Sequence, residues 1–223
     1  MSEGKIVAVT DGATGWLIFS NPERLNAVSY EMWRAIPERI AEFVGDPAIR
    51  VVVLRGEGDK AFVSGADISQ FEKVRSSEAG IADYNDATGL ANEAILACPK
   101  PTIAMIQGYC IGGGLGVALC CDLRLAAANS RFAIPAARLG LGYAYGGIKR
   151  LVDVVGPSFV RQGDFLHGAA ILGGRGCFDG THQSHVFGRG SAYGRQRRID
   201  ADRTECTANH RGCETCNRCG ARR

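Results

Sequence analysis

The sequence predicts an α/β fold in which strands and helices alternate in layers, and three patterns carry this prediction. Residues 51–54 form a continuous aliphatic run, which is typical of a strand buried on both faces of a parallel sheet. Residues 102–106 form a second run of β-branched and apolar residues. Between residues 30 and 44, apolar residues recur at helical spacing. Strands that alternate with helices define an α/β layered architecture.

The N-terminal part is predicted to begin with a hairpin and a helix. Residues 5–9 and 16–19 flank a turn-forming Asp-Gly-Ala-Thr-Gly segment and are predicted to pair as antiparallel strands. A loop over residues 24–27 follows, and Ser29 is suited to cap a helix from residue 30 to about residue 44. The inward face of this helix is predicted to carry Met32, Ile36, Ile40 and Phe43, with a kink at Pro37.

The remaining elements of the first 163 residues follow from the same patterns. A helix is predicted near residues 69–74, and a longer one over residues 78–98 has Leu90, Ala94 and Leu96 among its inward candidates. The other predicted elements are strands at residues 123–126 and 132–135 and a helix at residues 146–155 that Gly156-Pro157 closes.

Residues 100–122 are the stretch around which the other elements are organised. After the strand at 102–106, three glycines at 112–114 precede a small, apolar segment, residues 115–121, which suits a helix buried on all sides. The start of such a helix presents free backbone N–H groups and a positive dipole end, which would stabilise an oxygen that gains negative charge. The alternative is a glycine turn that serves tight packing alone.

A second small-residue turn occurs in residues 61–68, again after a buried strand. Together the two turns could aim the backbone N–H groups of Ala66 and Gly113 into one pocket, and two converging amides make an oxyanion hole. A dinucleotide-binding fingerprint fits less well, because Leu119 occupies the place of its third glycine.

Composition divides the chain in two. Residues 1–163 hold 16 Lys and Arg against 17 Asp and Glu, a net charge of −1 that predicts no nucleic-acid partner. The chain has no apolar run of eighteen residues and no N-terminal signal pattern, which predicts a soluble, cytoplasmic protein without a membrane partner. No histidine precedes His167, so the patterned part cannot build a Ser-His-Asp or histidine-metal site. The cysteines of this part, Cys98, Cys110, Cys120 and Cys121, are predicted to be reduced, buried core residues.

The two turns together resemble a known family. Residues 64–68, SGADI, are followed about forty residues later by GYCIGGG at residues 108–114, and this pair is similar to motifs of the crotonase (enoyl-CoA hydratase/isomerase) superfamily. The RLNA segment at 24–27, Cys121-Asp122 and the F-x-x-P element at 132–135 also fall where that family has counterparts. The similarity covers roughly residues 5–162.

The resemblance implies a crotonase-like core of stacked ββα turns, assembly as trimers or dimers of trimers, and an acyl-coenzyme A thioester as substrate with no other cofactor. It implies that Ala66 and Gly113 donate the N–H pair that holds the thioester oxygen as an enolate forms. The residues implied to line the coenzyme A channel and the acyl end are Arg24, Ala27, Ala66, Asp67, Ile68, Ala136 and Arg138.

The chain departs from the family at both proton-transfer positions. Hydratases of the family carry one glutamate two residues after the glycine triplet and another directly after the proline of F-x-x-P; here these positions are Gly116 and Ala136. Tyr143 and Tyr145 could replace these acids or simply pack, and Asp67 and Asp122 are expected to make local hydrogen bonds. We therefore expect an enolate-stabilising site without ordinary hydratase activity, or a non-catalytic remnant of the same core.

Residues 164–223 form a tail of different composition. They hold ten Arg, no Lys and six acids, a net charge of +4, together with all four histidines and five of the nine cysteines. Cys206, His210, Cys213, Cys216 and Cys219 could bind zinc, and the Arg-rich run at 195–203 could bind nucleic acid.

A frameshift is the interpretation that the tail composition favours, since enrichment in Arg, Gly, Cys and His without lysine is typical of a GC-rich gene read out of frame. Codons can be chosen for residues 164–185 so that a one-base shift yields IFFTARQYSAAEAASMGLTNH, which resembles the family's continuation. We expect such a tail to be disordered and the core to stay monomeric or aggregate.

Overall fold

A computed structural model describes residues 4–67, 77–136, 140, 142–157, 171–172 and 185–188. The larger of its two sheets has six strands: β1 (Lys5–Asp11), β2 (Thr14–Ser20), β3 (Val51–Gly56), β5 (Thr102–Ile106), β7 (Leu123–Ala126) and β10 (His185–Gly188), hydrogen-bonded in the order β1-β2-β3-β5-β7-β10. β2, β3, β5 and β7 run parallel to one another, while β1 and β10 pair antiparallel at the two edges. The predicted hairpin and buried parallel strands are confirmed.

The smaller sheet positions the candidate site. Its strands are β4 (Ala61–Val63), β6 (Tyr109–Ile111), β8 (Arg131–Ala133) and β9 (Ile171–Leu172), in the order β4-β6-β8-β9. β4, β6 and β8 are parallel, so the turns that follow β4 and β6 leave the same edge of the sheet side by side.

Within the described ranges, four α-helices pack on these strands: α1 (Tyr30–Gly45), α2 (Glu78–Leu96), α3 (Gly113–Cys120) and α4 (Tyr145–Val155). The hydroxyl of Ser29 accepts a hydrogen bond from the Met32 N–H at 3.2 Å, which confirms the predicted cap of α1. The predicted inward face of α1 is buried, and Pro37 lies inside the helix. α3 contributes a nearly continuous apolar surface to the core, as predicted. Among the described residues, no helix is both long enough and apolar enough to cross a membrane.

Three details of the sequence-based assignment were wrong. Leu90 was placed on the inward face of α2, yet its side chain is 61% exposed, and the buried positions of α2 are Ala87, Ala91 and Ile95. The short strand β6 was missed because it has three residues and follows the Gln107-Gly108 break. Of the four cysteines of the core, Cys98 is half-buried and the other three are buried free thiols.

The tail contributes two short strands to the described structure. β9 pairs antiparallel with β8, and β10 pairs antiparallel with β7. The helix predicted near residues 69–74 and most of residues 164–223, including the proposed zinc ligands and the Arg-rich run, lie outside the described residues. That the tail forms no domain stays a prediction.

Candidate functional site

The two glycine turns meet at the start of α3. Gly65 and Gly112 adopt positive φ values of 123° and 53°, which L side chains rarely adopt, so glycine is required at both turns. The Gly112 N–H donates to the Ala133 carbonyl at 2.8 Å, which fixes the second turn on β8. A Cβ placed on Gly113 would lie 4.0 Å from the Ala66 nitrogen. The structure thus places Ala66 and Gly113 next to each other.

Backbone hydrogen bonds around these two residues leave their own N–H groups without a protein acceptor. The Val28 N–H donates to the Gly65 carbonyl at 2.8 Å and the Asp67 N–H to the Val28 carbonyl at 2.9 Å, so the Ala66 N–H faces away from this bridge. Gly113 is the first residue of α3, where an N–H has no acceptor within the helix. Within the part of the chain that the structure describes, neither N–H donates to a protein acceptor.

The loop at residues 24–27 is tied to the first turn by a buried asparagine. Leu25 and Asn26 both have left-handed backbones, with φ of 51° and 58°. The Asn26 amide donates to the carbonyls of Glu57 and Ala61 at 2.9 and 2.8 Å. Sequence reasoning did not assign this role to Asn26, although asparagine tolerates the left-handed region better than most residues.

Arg24 and Asp67 form an ion pair across the junction of loop and turn. One Arg24 Nη donates to both Asp67 carboxylate oxygens, at 2.6 and 2.7 Å. The Asp67 side chain is 8% exposed and the Arg24 side chain 36% exposed. Asp67 therefore makes an ion pair across 43 residues where local hydrogen bonding was expected, and Arg24 keeps enough exposure to contact a ligand.

Aromatic side chains form the wall beside Gly113. The Trp33 ring would lie 3.2 Å from a Cβ placed on Gly113, and the indole N–H donates to the Tyr84 hydroxyl at 3.0 Å. Tyr30 stacks on Tyr84 with 6.3 Å between ring centroids. The apolar period of α1 predicted that this helix is buried, but it did not show that Trp33 contacts the glycine turn.

Tyr143 lies against α3 at Gly116. A Cβ placed on Gly116 would lie 3.8 Å from the Tyr143 hydroxyl oxygen, and one placed on Gly147 would lie 2.6 Å from the Tyr143 ring. Burial raises the pKa of Tyr143; Cys120 and Cys110 raise it further, and the nearby Arg150 cation opposes them. Of the two tyrosines singled out from the sequence, Tyr145 is 80% exposed, so only Tyr143 lies against α3.

Of the other predicted site residues, Asp122 lies away from the two glycine turns and two fall outside the described residues. The Asp122 carboxylate accepts from the Thr102 N–H and hydroxyl, both at 2.9 Å, at the far end of α3. Ala27 is buried, and Ala136 is partly buried against the core. Ile68 and Arg138 lie outside the described residues.

In the described part of the chain, no three His, Cys, Asp or Glu side chains cluster in a way that could hold a metal ion. The buried thiols of Cys110, Cys120 and Cys121 pack in the core instead. Burial raises the pKa of Cys110 far above its ordinary value, which keeps this thiol protonated.

The fold and the paired glycine turns define a protein of the crotonase superfamily. The enoyl-CoA hydratase/isomerase family model matches residues 12–168, so the chain belongs to this family. An enoyl-CoA hydratase/carnithine racemase structure from Magnetospirillum magneticum superposes with a TM-score of 0.71 at 35% identity, covering 77% of this chain and 64% of that one.

Curated relatives are similar over the same core. Crotonyl-CoA hydratase of Syntrophomonas wolfei is 34% identical over 146 residues, which is 66% of this chain and 55% of the relative. Short-chain-enoyl-CoA hydratase of Clostridium acetobutylicum is 32% identical over 160 residues, 72% of this chain and 58% of the relative. The chain therefore spans less than two thirds of the length of these relatives.

Proposed function

We propose that this protein binds an acyl-coenzyme A thioester and stabilises its enolate between the N–H groups of Ala66 and Gly113. The observation that carries the proposal is the pair of adjacent amides that have no protein acceptor among the described residues. Their place at the start of the buried helix α3 adds its positive dipole end. The named relatives act on acyl-CoA thioesters, which agrees with this ligand class.

Enolate formation is the step that this arrangement suits. When a proton leaves the carbon next to a thioester carbonyl, the carbonyl oxygen gains negative charge. Two fixed donors in a site with little water stabilise that charge without reorganisation, and removal of one such donor typically costs about 10²–10³-fold in rate.

The coenzyme A part would lie along the loop that contains Arg24 and Ala27. Arg24 is partly exposed and cationic, so it could contact a phosphate while remaining paired with Asp67. Ala66, Asp67 and Ile68 would complete this channel, and Ala136 and Arg138 would lie towards the acyl group.

Hydration is the family reaction that this site supports least. Gly116 and Ala136 supply no carboxylate at the two proton-transfer positions, and each general acid or base is typically worth about 10²–10⁴-fold. We infer that crotonyl-CoA is hydrated slowly or not at all. The same observation favours a second candidate, a core that binds acyl-CoA without turning it over.

Substitutions of Gly113 test the proposal with a built-in control. Gly113→Pro and Gly113→Ala both place a Cβ 3.2 Å from the Trp33 ring, but only proline removes the N–H. Proline is tolerated at the first position of a helix. We expect proline to slow exchange of the α-hydrogens of butyryl-CoA with D2O by about 10²-fold relative to alanine, equivalent to about 3 kcal/mol.

Butyryl-CoA binding is measured by calorimetry and exchange by mass spectrometry, on folded wild type and both variants. If the folded wild type binds no butyryl-CoA, the proposal fails. Equal exchange in the proline and alanine variants would show that the Gly113 amide does not stabilise the enolate.

A further inference from the structure

We propose that the hydroxyl of Tyr143 carries the proton to and from the substrate α-carbon, in the space that a side chain at position 116 would otherwise occupy. This inference rests on the proposed function. It adds a proton-transfer group to a site for which the sequence supplies no carboxylate at positions 116 and 136.

Tyr143 lies near the face of α3 that also carries Gly113. Gly113 and Gly116 are three residues apart in α3 and therefore lie on one face, about 4.5 Å apart along the helix axis. The Tyr143 hydroxyl lies 3.8 Å from the Cβ position of Gly116. It is thus one helical turn from the amide that would hold the thioester oxygen, and the α-carbon is bonded directly to the thioester carbonyl carbon.

The ring of Tyr143 is held in place from the opposite side by α4. A Cβ on Gly147 would lie 2.6 Å from the ring, so Gly147 is needed for the ring to pack there. Gly116 and Gly147 therefore leave room for the hydroxyl and for the ring, respectively. Tyr145, two residues further along, is 80% exposed, so its ring is not packed in this way.

The ionisable groups around the Tyr143 hydroxyl suit a side chain that gives up a proton and takes it back. Cys120 of α3 and Cys110 of β6 face it from the core, and Arg150 faces it from α4. Burial dominates and raises the pKa of Tyr143, so the hydroxyl holds its proton at neutral pH. The Nε of Arg150 is buried and has no hydrogen-bond partner among the described residues, and this cation would stabilise a transient phenolate.

The proposed proton transfer needs no reactant other than the substrate and solvent water. The electron pair of the enolate α-carbon takes the hydroxyl proton, forming a C–H bond as the O–H bond breaks. The O–H electron pair stays on the phenolate oxygen beside Arg150, and water then returns a proton to it. In the reverse direction the phenolate removes an α-hydrogen, so exchange with solvent reports the step.

Tyr143→Phe tests this role, and Tyr145→Phe is the matched control. The readouts are calorimetric binding of butyryl-CoA and exchange of its α-hydrogens in D2O. We expect Tyr143→Phe to bind within about twofold of wild type yet exchange about 10²-fold more slowly, as for loss of a general acid–base group. Tyr145→Phe should leave both unchanged. Adding Gly116→Glu to Tyr143→Phe should restore part of the exchange, because a carboxylate then enters the space of the lost hydroxyl.

Each outcome decides between the two proposals. A wild type that binds no butyryl-CoA overturns the proposed function. A wild type that binds without exchange, or a Tyr143→Phe variant that exchanges as fast as wild type, overturns the role of Tyr143 and leaves thioester binding standing. If Tyr143→Phe does not fold, Gly116→Leu blocks the same space while keeping the tyrosine, and it should slow exchange to the same extent; unchanged exchange would overturn the role.

Discussion

The two ends of α3 satisfy their backbone polar groups in opposite ways. At the carboxyl end, one buried guanidinium nitrogen of Arg124 donates to the carbonyls of Ala118 and Cys121 at 3.2 and 2.6 Å. At the amino end, the Gly113 N–H and the adjacent Ala66 N–H have no acceptor among the described residues. Thus the protein supplies hydrogen-bond partners for the backbone at the carboxyl end of α3, but not for these two N–H groups at the amino end.

The two ends of this short helix therefore have different roles: one stabilises the fold, and the other is available to a ligand. A helix end closed by the protein's own side chains contributes stability, whereas an end that keeps free donors at a glycine turn is suited to a ligand. Asp122 and Arg124 therefore belong to the architecture, and Gly113 belongs to the candidate site.

The largest expected effect is at the closed end. Arg124→Met keeps much of the side-chain volume but removes the donors to two buried carbonyls, each worth about 1–3 kcal/mol when left unsatisfied. We expect the free energy of unfolding to fall by about 3 kcal/mol in urea titrations. Arg131→Met is the control, because Arg131 is exposed and stacks 5.7 Å from the Tyr109 ring. Equal stability of the two variants would mean that the guanidinium contributes nothing beyond its apolar stem.

The next effect compares two glycines of the same helix. A Cβ on Gly114 would lie 2.3 Å from the Val63 carbonyl oxygen, whereas one on Gly116 meets only the Tyr143 hydroxyl at 3.8 Å. Gly114→Ala should therefore lower the free energy of unfolding by about 1–3 kcal/mol through overpacking. Gly116→Ala should raise it by about 0.5–1 kcal/mol, as expected when alanine replaces glycine inside a helix. Similar values for both would contradict the assignment of one glycine to packing and the other to the site.

The smallest effect concerns the face of α3 near Gly116 and appears at alkaline pH. Because burial raises the pKa of Tyr143, the folded state holds this proton after the unfolded chain loses it. The contribution to stability is complete below about pH 10, the ordinary tyrosine pKa, and is lost as pH rises through the folded pKa, at no more than about 1.4 kcal/mol per pH unit. Urea unfolding of wild type and Tyr143→Phe between about pH 9 and 11 should show a shallower decline for the variant. Parallel declines would mean that the hydroxyl is well hydrated.

Prediction from the sequence was most accurate where a local pattern determines the structure. The period of α1, the aliphatic run of β3 and the cap at Ser29 were all located correctly, since each depends on neighbouring residues. The approach of the two glycine turns was also anticipated, because each turn follows a predicted buried strand, and these strands, β3 and β5, pair in parallel.

Contacts between segments that are distant in the chain could not be predicted from these local patterns. The hydrogen bonds from Asn26 to Glu57 and Ala61, and the approach of Tyr143 to Gly116, depend on how loops return to the sheet. Leu90 shows a related limit: its apolar character favours burial, but the face of α2 that packs against the core carries Ala87, Ala91 and Ile95. Hydrophobicity alone did not identify that face.

The long loops closed by the site have a consequence for the order in which the molecule assembles. Arg24 and Asp67 are 43 residues apart in the chain, and Ser64 donates to the Arg24 carbonyl across 40 residues. The entropy of closing such loops is lost before any of these contacts can form, whereas a helix such as α1 needs only near neighbours. We therefore expect the geometry of the candidate site to form late in folding, after the helices, so a chain that has only its helices does not yet hold the two amides together.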